Sequence, residues 1–180
     1  MIGEVQLERL VGPFTKNLDG KRLVSMRAVM TRLLTDLSRE KASEEDGYFL
    51  AFTRLNRITE LVVRESETTF FSVAFNCRTF KPTSGEILEG VVYCTFSRGV
   101  FLRCGPTKYA FLSHRKMPNY QLIDGENPVF QRDELAKIEM DTVVRFSVLS
   151  VKWVEQRKDI QREFLMLASI DGDSLGPIDT

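Results

Sequence analysis

The chain has one histidine, three cysteines and no excess of either charge among its 180 residues. Each scarcity excludes something. With His114 alone there is no histidine pair for a metal or for acid–base exchange. Cys77, Cys94 and Cys104 form no C-x-x-C, so neither a zinc site nor a disulfide framework is expected, and the reading is of buried free thiols. Twenty-five basic residues balance 25 acidic ones, which excludes a generally cationic coat; any nucleic-acid site must be local. No apolar run approaches the roughly 18 residues a membrane span needs. The acid-bearing start Met1–Glu8 does not read as a secretory signal, and the expectation is a soluble, intracellular chain with no membrane contact. No Gly-rich phosphate loop and no serine elbow occur, and Glu44-Glu45 sits in a polar, solvated loop. The expectation is therefore a non-enzyme with no cofactor and no metal.

What is present can bury a core: 43% of residues are hydrophobic and 13 are Phe. Val5, Leu7, Leu10 and Val11 suggest a first strand, ended by Gly12-Pro13. Leu23, Met26, Met30, Leu33, Leu34 and Leu37 follow helical spacing and are expected to form a core-facing stripe, with Asn17 or Asp19 as the cap. Strands are expected at Tyr48–Thr53 and Phe70–Phe80. Strand, helix and further strands make a small α+β domain of residues 1–82. Lys81-Pro82-Thr83-Ser84-Gly85 reads as a junction. Beyond it, strands at Glu86–Phe96, Val100–Cys104, Tyr109–Leu112, Thr142–Val154 and Phe164–Ile170 fit a small closed barrel such as an OB fold over residues 83–180. Met117–Met140 reads as a long loop ordered against the barrel or a partner.

One stretch stands out. From Gly90 to Ile123 there is no Asp or Glu, while Arg98, Arg103, Lys108, Arg115 and Lys116 all fall inside. This predicts a local positive patch. Strand alternation turns Val100, Leu102 and Cys104 inward and places Gly99, Phe101 and Arg103 on the other face. An exposed aromatic beside a cation is the element from which single-strand binding faces are built. The candidate face comprises Arg98, Phe101, Arg103, Lys108, Tyr109, His114, Arg115 and Lys116.

Gly85-Glu86-Ile87-Leu88-Glu89-Gly90-Val91-Val92, Arg98-Gly99-Val100-Phe101-Leu102 and Ala110-Phe111-Leu112-Ser113 resemble the S1 subclass of the OB fold. Together with Phe80-Lys81-Pro82 before them, Met117-Pro118-Asn119-Tyr120 after them and Asp171–Pro177 near the end, the ordered set resembles the seventh subunit of multisubunit DNA-directed RNA polymerases, related to the stalk protein of the archaeal enzyme. Arg103-Cys104-Gly105-Pro106, Gly125-Glu126-Asn127-Pro128 and Leu175-Gly176-Pro177 carry a finer likeness to the subunit of the plant polymerases IV and V.

The resemblance implies an N-terminal truncated RNP-like docking domain followed by an S1-type barrel. It implies a non-catalytic stalk subunit in the nucleus, pairing with the fourth subunit and with polymerase core subunits. Nascent single-stranded RNA would pass the barrel. The implied process is noncoding transcription for RNA-directed DNA methylation and gene silencing. Phe80, Pro82, Met117 and Phe130 are expected to be exposed at the partner interface. Where S1 domains carry an aromatic before the turn glycine and a histidine after the third strand, this chain has Arg98 and Ser113. That leaves Phe101 as the expected remaining platform. The alternatives are the seventh subunit of polymerase II or another nuclear polymerase, a free-standing S1-type RNA-binding factor, or an enzyme using an S1 domain for substrate capture.

Overall fold

The computed structural model describes residues 1–15, 25–157 and 160–178. It divides into two compact units, Ile2–Lys81 and Pro82–Thr180, the latter together with Met1. Among the described residues no helix is long and apolar enough to cross a membrane.

The first unit is an antiparallel sheet with one helix on one face. Its elements are β1 (Ile2–Thr15), α1 (Met26–Glu40), β2 (Ala42–Ser43), β3 (Gly47–Val63) and β4 (Thr68–Phe80), in sheet order β1-β4-β3-β2. Leu7 and Val11 of β1 and Phe71, Val73 and Phe75 of β4 alternate inward and meet Val29, Leu33 and Leu37 of α1. The helix begins at Ser25, whose hydroxyl accepts from the Ala28 amide at 3.2 Å, a cap worth about 1 kcal/mol. Asn17 and Asp19 lie outside the described residues, as does Leu23. The expected apolar stripe is displaced: Leu33 and Leu37 are buried, but Met26 and Leu34 are 55% and 48% exposed, and Val29 takes the inner position instead. Residues 29, 33 and 37 repeat every fourth position and define the true centre of the buried face. The strand expected at Tyr48–Thr53 is longer than that: β3 runs unbroken to Val63, and three register shifts against β4 accommodate it.

The second unit contains β5 (Ile87–Phe96), β6 (Gly99–Cys104), β7 (Thr107–Ser113), a single 3₁₀ turn His114–Lys116, β8 (Gln121–Ile123), β9 (Val129–Gln131), β10 (Lys137–Ile138), β11 (Val143–Arg157), β12 (Ile160–Ser169) and β13 (Gly176–Pro177). Strands β5, β6 and β7 form a meander. β11 pairs with β5 on one side and β12 on the other, and β12 pairs in parallel with β7 through Met166↔Ala110 and Ala168↔Leu112. These pairings close a five-membered ring of strands. Its interior holds Val92, Val100, Leu102, Leu112, Phe146 and Met166, all essentially inaccessible, each contributing roughly 1.5–3 kcal/mol by leaving water.

The segment expected as a long loop is instead a three-stranded sheet, β10-β9-β8. It seals the ring with Met117, Tyr120, Phe130, Ala136 and Ile138. That corrects the expected exposure of the four partner-interface candidates. Met117 is 2% exposed and Phe130 0%, because both belong to this core; Phe80 is buried with its ring 6.4 Å from that of Tyr48; Pro82 is buried as well. None of the four presents an exposed apolar side chain.

Candidate nucleic-acid interface

The outer face of the β5–β6–β7 meander is the most chemically distinctive surface of the second unit. Inward Val100, Leu102, Ala110 and Leu112 leave Phe101 and Phe111 outward, directly paired across β6 and β7. On β5 a register shift follows Val92, so Tyr93 and Phe96 share this face. Phe101 is the hub: its ring centroid lies 5.3 Å from Phe111, 5.7 Å from Phe96 and 6.3 Å from Tyr93. Phe96 and Phe111 stack at 5.7 Å with an interplanar angle of 11°.

Gly99 makes this packing possible. It pairs with Phe96 on one side and Ser113 on the other, at φ +155°. A Cβ there would press on the Leu112 carbonyl oxygen and come 3.0 Å from Cε2 of Phe111. The missing side chain thus lets rings from β5 and β7 meet across β6.

Cations lie at both ends of the aromatic row. The Arg103 guanidinium sits 5.3 Å from the Tyr93 ring centre. Lys108 is exposed beside half-buried Tyr109. The Tyr93 hydroxyl donates to the Lys108 carbonyl. Burial, reinforced by the neighbouring Tyr109 and Cys94, pushes the Tyr93 phenol above its ordinary range, so it stays a neutral donor. At the other end Ser97, Arg98, Phe111, Ser113, His114 and Arg115 line an open depression of about 560 Å³. Arg98, Arg103, Lys108, Arg115 and Lys116 are exposed, and among the described residues none lies within 4 Å of a carboxylate.

His114 is half-buried and has two partners besides the depression. Its Nε2 lies 2.9 Å from the Tyr120 carbonyl oxygen and its ring packs 4.9 Å from that of Phe130. It also lines the depression. The Ser113 hydroxyl accepts from the Arg115 amide and fixes the 3₁₀ turn that projects Arg115 and Lys116.

The sequence reading missed Tyr93, Phe96 and Phe111. Phe111 was legible, since it alternates with Ala110 and Leu112 in an expected strand. Tyr93 follows inward Val92 in the same way, whereas Phe96 depends on the β5 irregularity. The same irregularity turns Cys94 outward, which corrects the expectation of three buried thiols; Cys77 and Cys104 are buried and all three are free. Burial, with a smaller push from Glu86, raises the Cys104 thiol to about 11. The expectation that Phe101 is the lone remaining platform is also corrected, because four rings occupy the face. Among the described residues no three His, Cys, Asp or Glu side chains cluster as a metal site.

No protein-family model matches the chain. Individual relatives do. It is 42% identical over 179 residues to DNA-directed RNA polymerase V subunit 7 of Arabidopsis thaliana, covering 99% of this chain and 98% of that protein. It is 44% identical over 156 residues to the polymerase IV subunit 7 of the same plant, covering 86% and 87%. Identity to the polymerase II subunit RPB7 of Glycine max is lower, 28% over 153 residues, covering 83% and 82%. Both the extent of these matches and the higher identity to the first two decide the assignment: the chain belongs to the seventh-subunit family of DNA-directed RNA polymerases, and within it to the polymerase IV/V type.

Proposed function

We propose that the chain is a non-catalytic stalk subunit of polymerase IV, polymerase V or both, and that it holds emerging single-stranded RNA on the outer face of β5, β6 and β7. The observation that carries this is the four-ring row with exposed cations at both ends. Bases of a single strand stack on aromatic faces while lysine and arginine follow the phosphates. A duplex hides its bases from such a row. The ring of strands is read as an S1-type OB barrel, because five strands closing through a β11–β12 hairpin onto β5 and β7 fit that architecture. The first unit is read as a truncated RNP-like domain that docks on polymerase core subunits. Pairing with the fourth subunit, a place beside the RNA exit channel, location in the nucleus and a role in noncoding transcription for silencing complete the proposal. Similarity to the polymerase IV and V subunits supports them.

Stacking on aromatic rings is open to every base, and cations follow the phosphates of any strand. Binding is therefore expected to be tolerant of sequence and sensitive to salt. Fluorescence anisotropy with a labelled single-stranded oligoribonucleotide and the matching duplex tests the proposal. Preference for the single strand, with affinity falling as salt rises, is the expected result. Equal affinity for the duplex would remove the stacking role.

A further inference from the structure

Two turns build the depression at the Arg98 end of the ring row. One is Ser97-Arg98 between β5 and β6, the other the 3₁₀ turn that follows β7. They are pinned together: the His114 amide donates to the Arg98 carbonyl at 2.8 Å, one step beyond the Gly99↔Ser113 pair. Within the second turn the Met117 amide donates to the His114 carbonyl at 3.1 Å, and the Arg115 amide donates to the Ser113 hydroxyl at 3.3 Å. The His114 ring is held by the Tyr120 carbonyl and by Phe130. The backbone that carries Arg98 and Arg115 is thus fixed by the fold itself.

What this frame presents differs from the other end of the row. At the Tyr93 end the Arg103 guanidinium lies over a ring, and Lys108 is exposed on β7. At the Arg98 end the side chains of Arg98, Arg115, Ser97 and Ser113 line one concave surface, with Phe111 as its apolar wall. Among the described residues no Asp or Glu lines it. The Ser113 oxygen accepts from the Arg115 amide, which leaves its proton able to donate. A phosphodiester within a strand carries a single negative charge. A terminal phosphate carries about −1.5 to −2 at neutral pH and three acceptor oxygens. Two guanidinium forks and two hydroxyls match the terminal group in charge and in donors. At about 560 Å³ the depression also has room for the sugar and base of the same nucleotide.

We propose that this depression holds the terminal phosphate of a bound single-stranded RNA. Arg98 and Arg115 pair with its oxygens, Ser97 and Ser113 donate to them, and the terminal base lies against Phe111. The remaining bases then run along the rings toward Tyr93, so the strand is held in one polarity with its phosphorylated end at Arg98. The proposal rests on the single-strand reading of the outer face and names the part of the strand that its concave end takes.

The test is competition against one labelled single-stranded oligoribonucleotide on the full chain, read by fluorescence anisotropy at fixed salt. The competitors share one sequence and carry a 5′-phosphate, a 3′-phosphate or a hydroxyl at both ends. A phosphate at one end is expected to tighten binding by about tenfold or more over the hydroxyl-ended strand, while a phosphate at the opposite end leaves affinity nearly unchanged. Arg98→Gln/Arg115→Gln, checked for folding by circular dichroism, is expected to lose that gain and still bind the hydroxyl-ended strand. Arg103→Gln/Lys108→Gln removes as much charge from the other end of the row and is expected to bind every strand more weakly with the gain retained. No gain at either end, an equal gain at both, a gain that survives Arg98→Gln/Arg115→Gln, or one lost equally in both variants overturns the terminal-phosphate proposal alone. Failure to bind any single strand overturns the outer-face reading, and the proposal with it.

Discussion

Replacing Phe101 by alanine removes the one ring that touches Tyr93, Phe96 and Phe111 together. Loss of base stacking costs about 1–3 kcal/mol per base, which is roughly a 5- to 150-fold loss of affinity for single-stranded RNA. The charge term is separable. Arg98→Ala/Arg103→Ala removes a cation from each end of the row, and if each follows one phosphate the salt slope flattens by about 1.4, at roughly 0.7 per phosphate. Anisotropy titrations between about 50 and 200 mM salt resolve both effects. Phe101→Ala is expected to lower affinity at every salt concentration with the slope retained. The arginine pair is expected to lower affinity most at low salt and to flatten the slope. Because Phe101 is half-buried, thermal unfolding must first show that Phe101→Ala remains folded. Unchanged affinity in a folded Phe101→Ala protein would refute the stacking argument, and an unchanged slope in the arginine variant would refute the charge argument.

Three further outcomes are expected. Gly99→Ala forces a Cβ against the Leu112 carbonyl at a positive φ and should destabilise the second unit by about 2–5 kcal/mol, measured by urea unfolding; a cost under about 0.5 kcal/mol would contradict the close approach. His114→Ala should cost about 1–2 kcal/mol of stability through the lost Tyr120 contact while leaving the RNA salt slope unchanged; a flattened slope would mean that His114 binds as a cation. Iodoacetamide at neutral pH should label Cys94 and spare Cys77 and Cys104 until the chain unfolds, because burial keeps both of the latter protonated. For Cys104 the sign is that of an acid raised in the folded state from 9.0 to about 11. Its stabilising effect is present below pH 9 and declines as pH rises from 9 to 11. Mass-spectrometric mapping of the labelled peptides checks the order.

Much of the barrel was legible because its strands alternate cleanly. Val100, Leu102 and Cys104 are buried as alternation requires, and Phe101 and Arg103 share the outer side. The positive patch was legible because it depends on composition over a contiguous stretch. What could not be read was set by tertiary pairing. A register shift after Val92 changes which residues of β5 face outward, and alternation carried through it misplaces Cys94. The segment after Met117 contains turn residues throughout, yet Met117, Tyr120, Phe130 and Ile138 recur irregularly and reach one core only through the β8–β10 sheet. On α1, Met26 and Leu34 match helical spacing, but burial is decided by what the sheet presents, and Val29, Leu33 and Leu37 face it. The finer polymerase assignment lay in short motifs such as Arg103–Pro106 and Leu175–Pro177, whose meaning no spacing rule contains.

Membership of a polymerase stalk is tested most directly by native purification of the tagged full-length chain from plant nuclei, followed by mass spectrometry of the co-purifying proteins. The largest subunit of polymerase IV or of polymerase V, together with a fourth-subunit partner, is the expected recovery. Ribonucleoproteins without any polymerase subunit, or the chain alone, would contradict it.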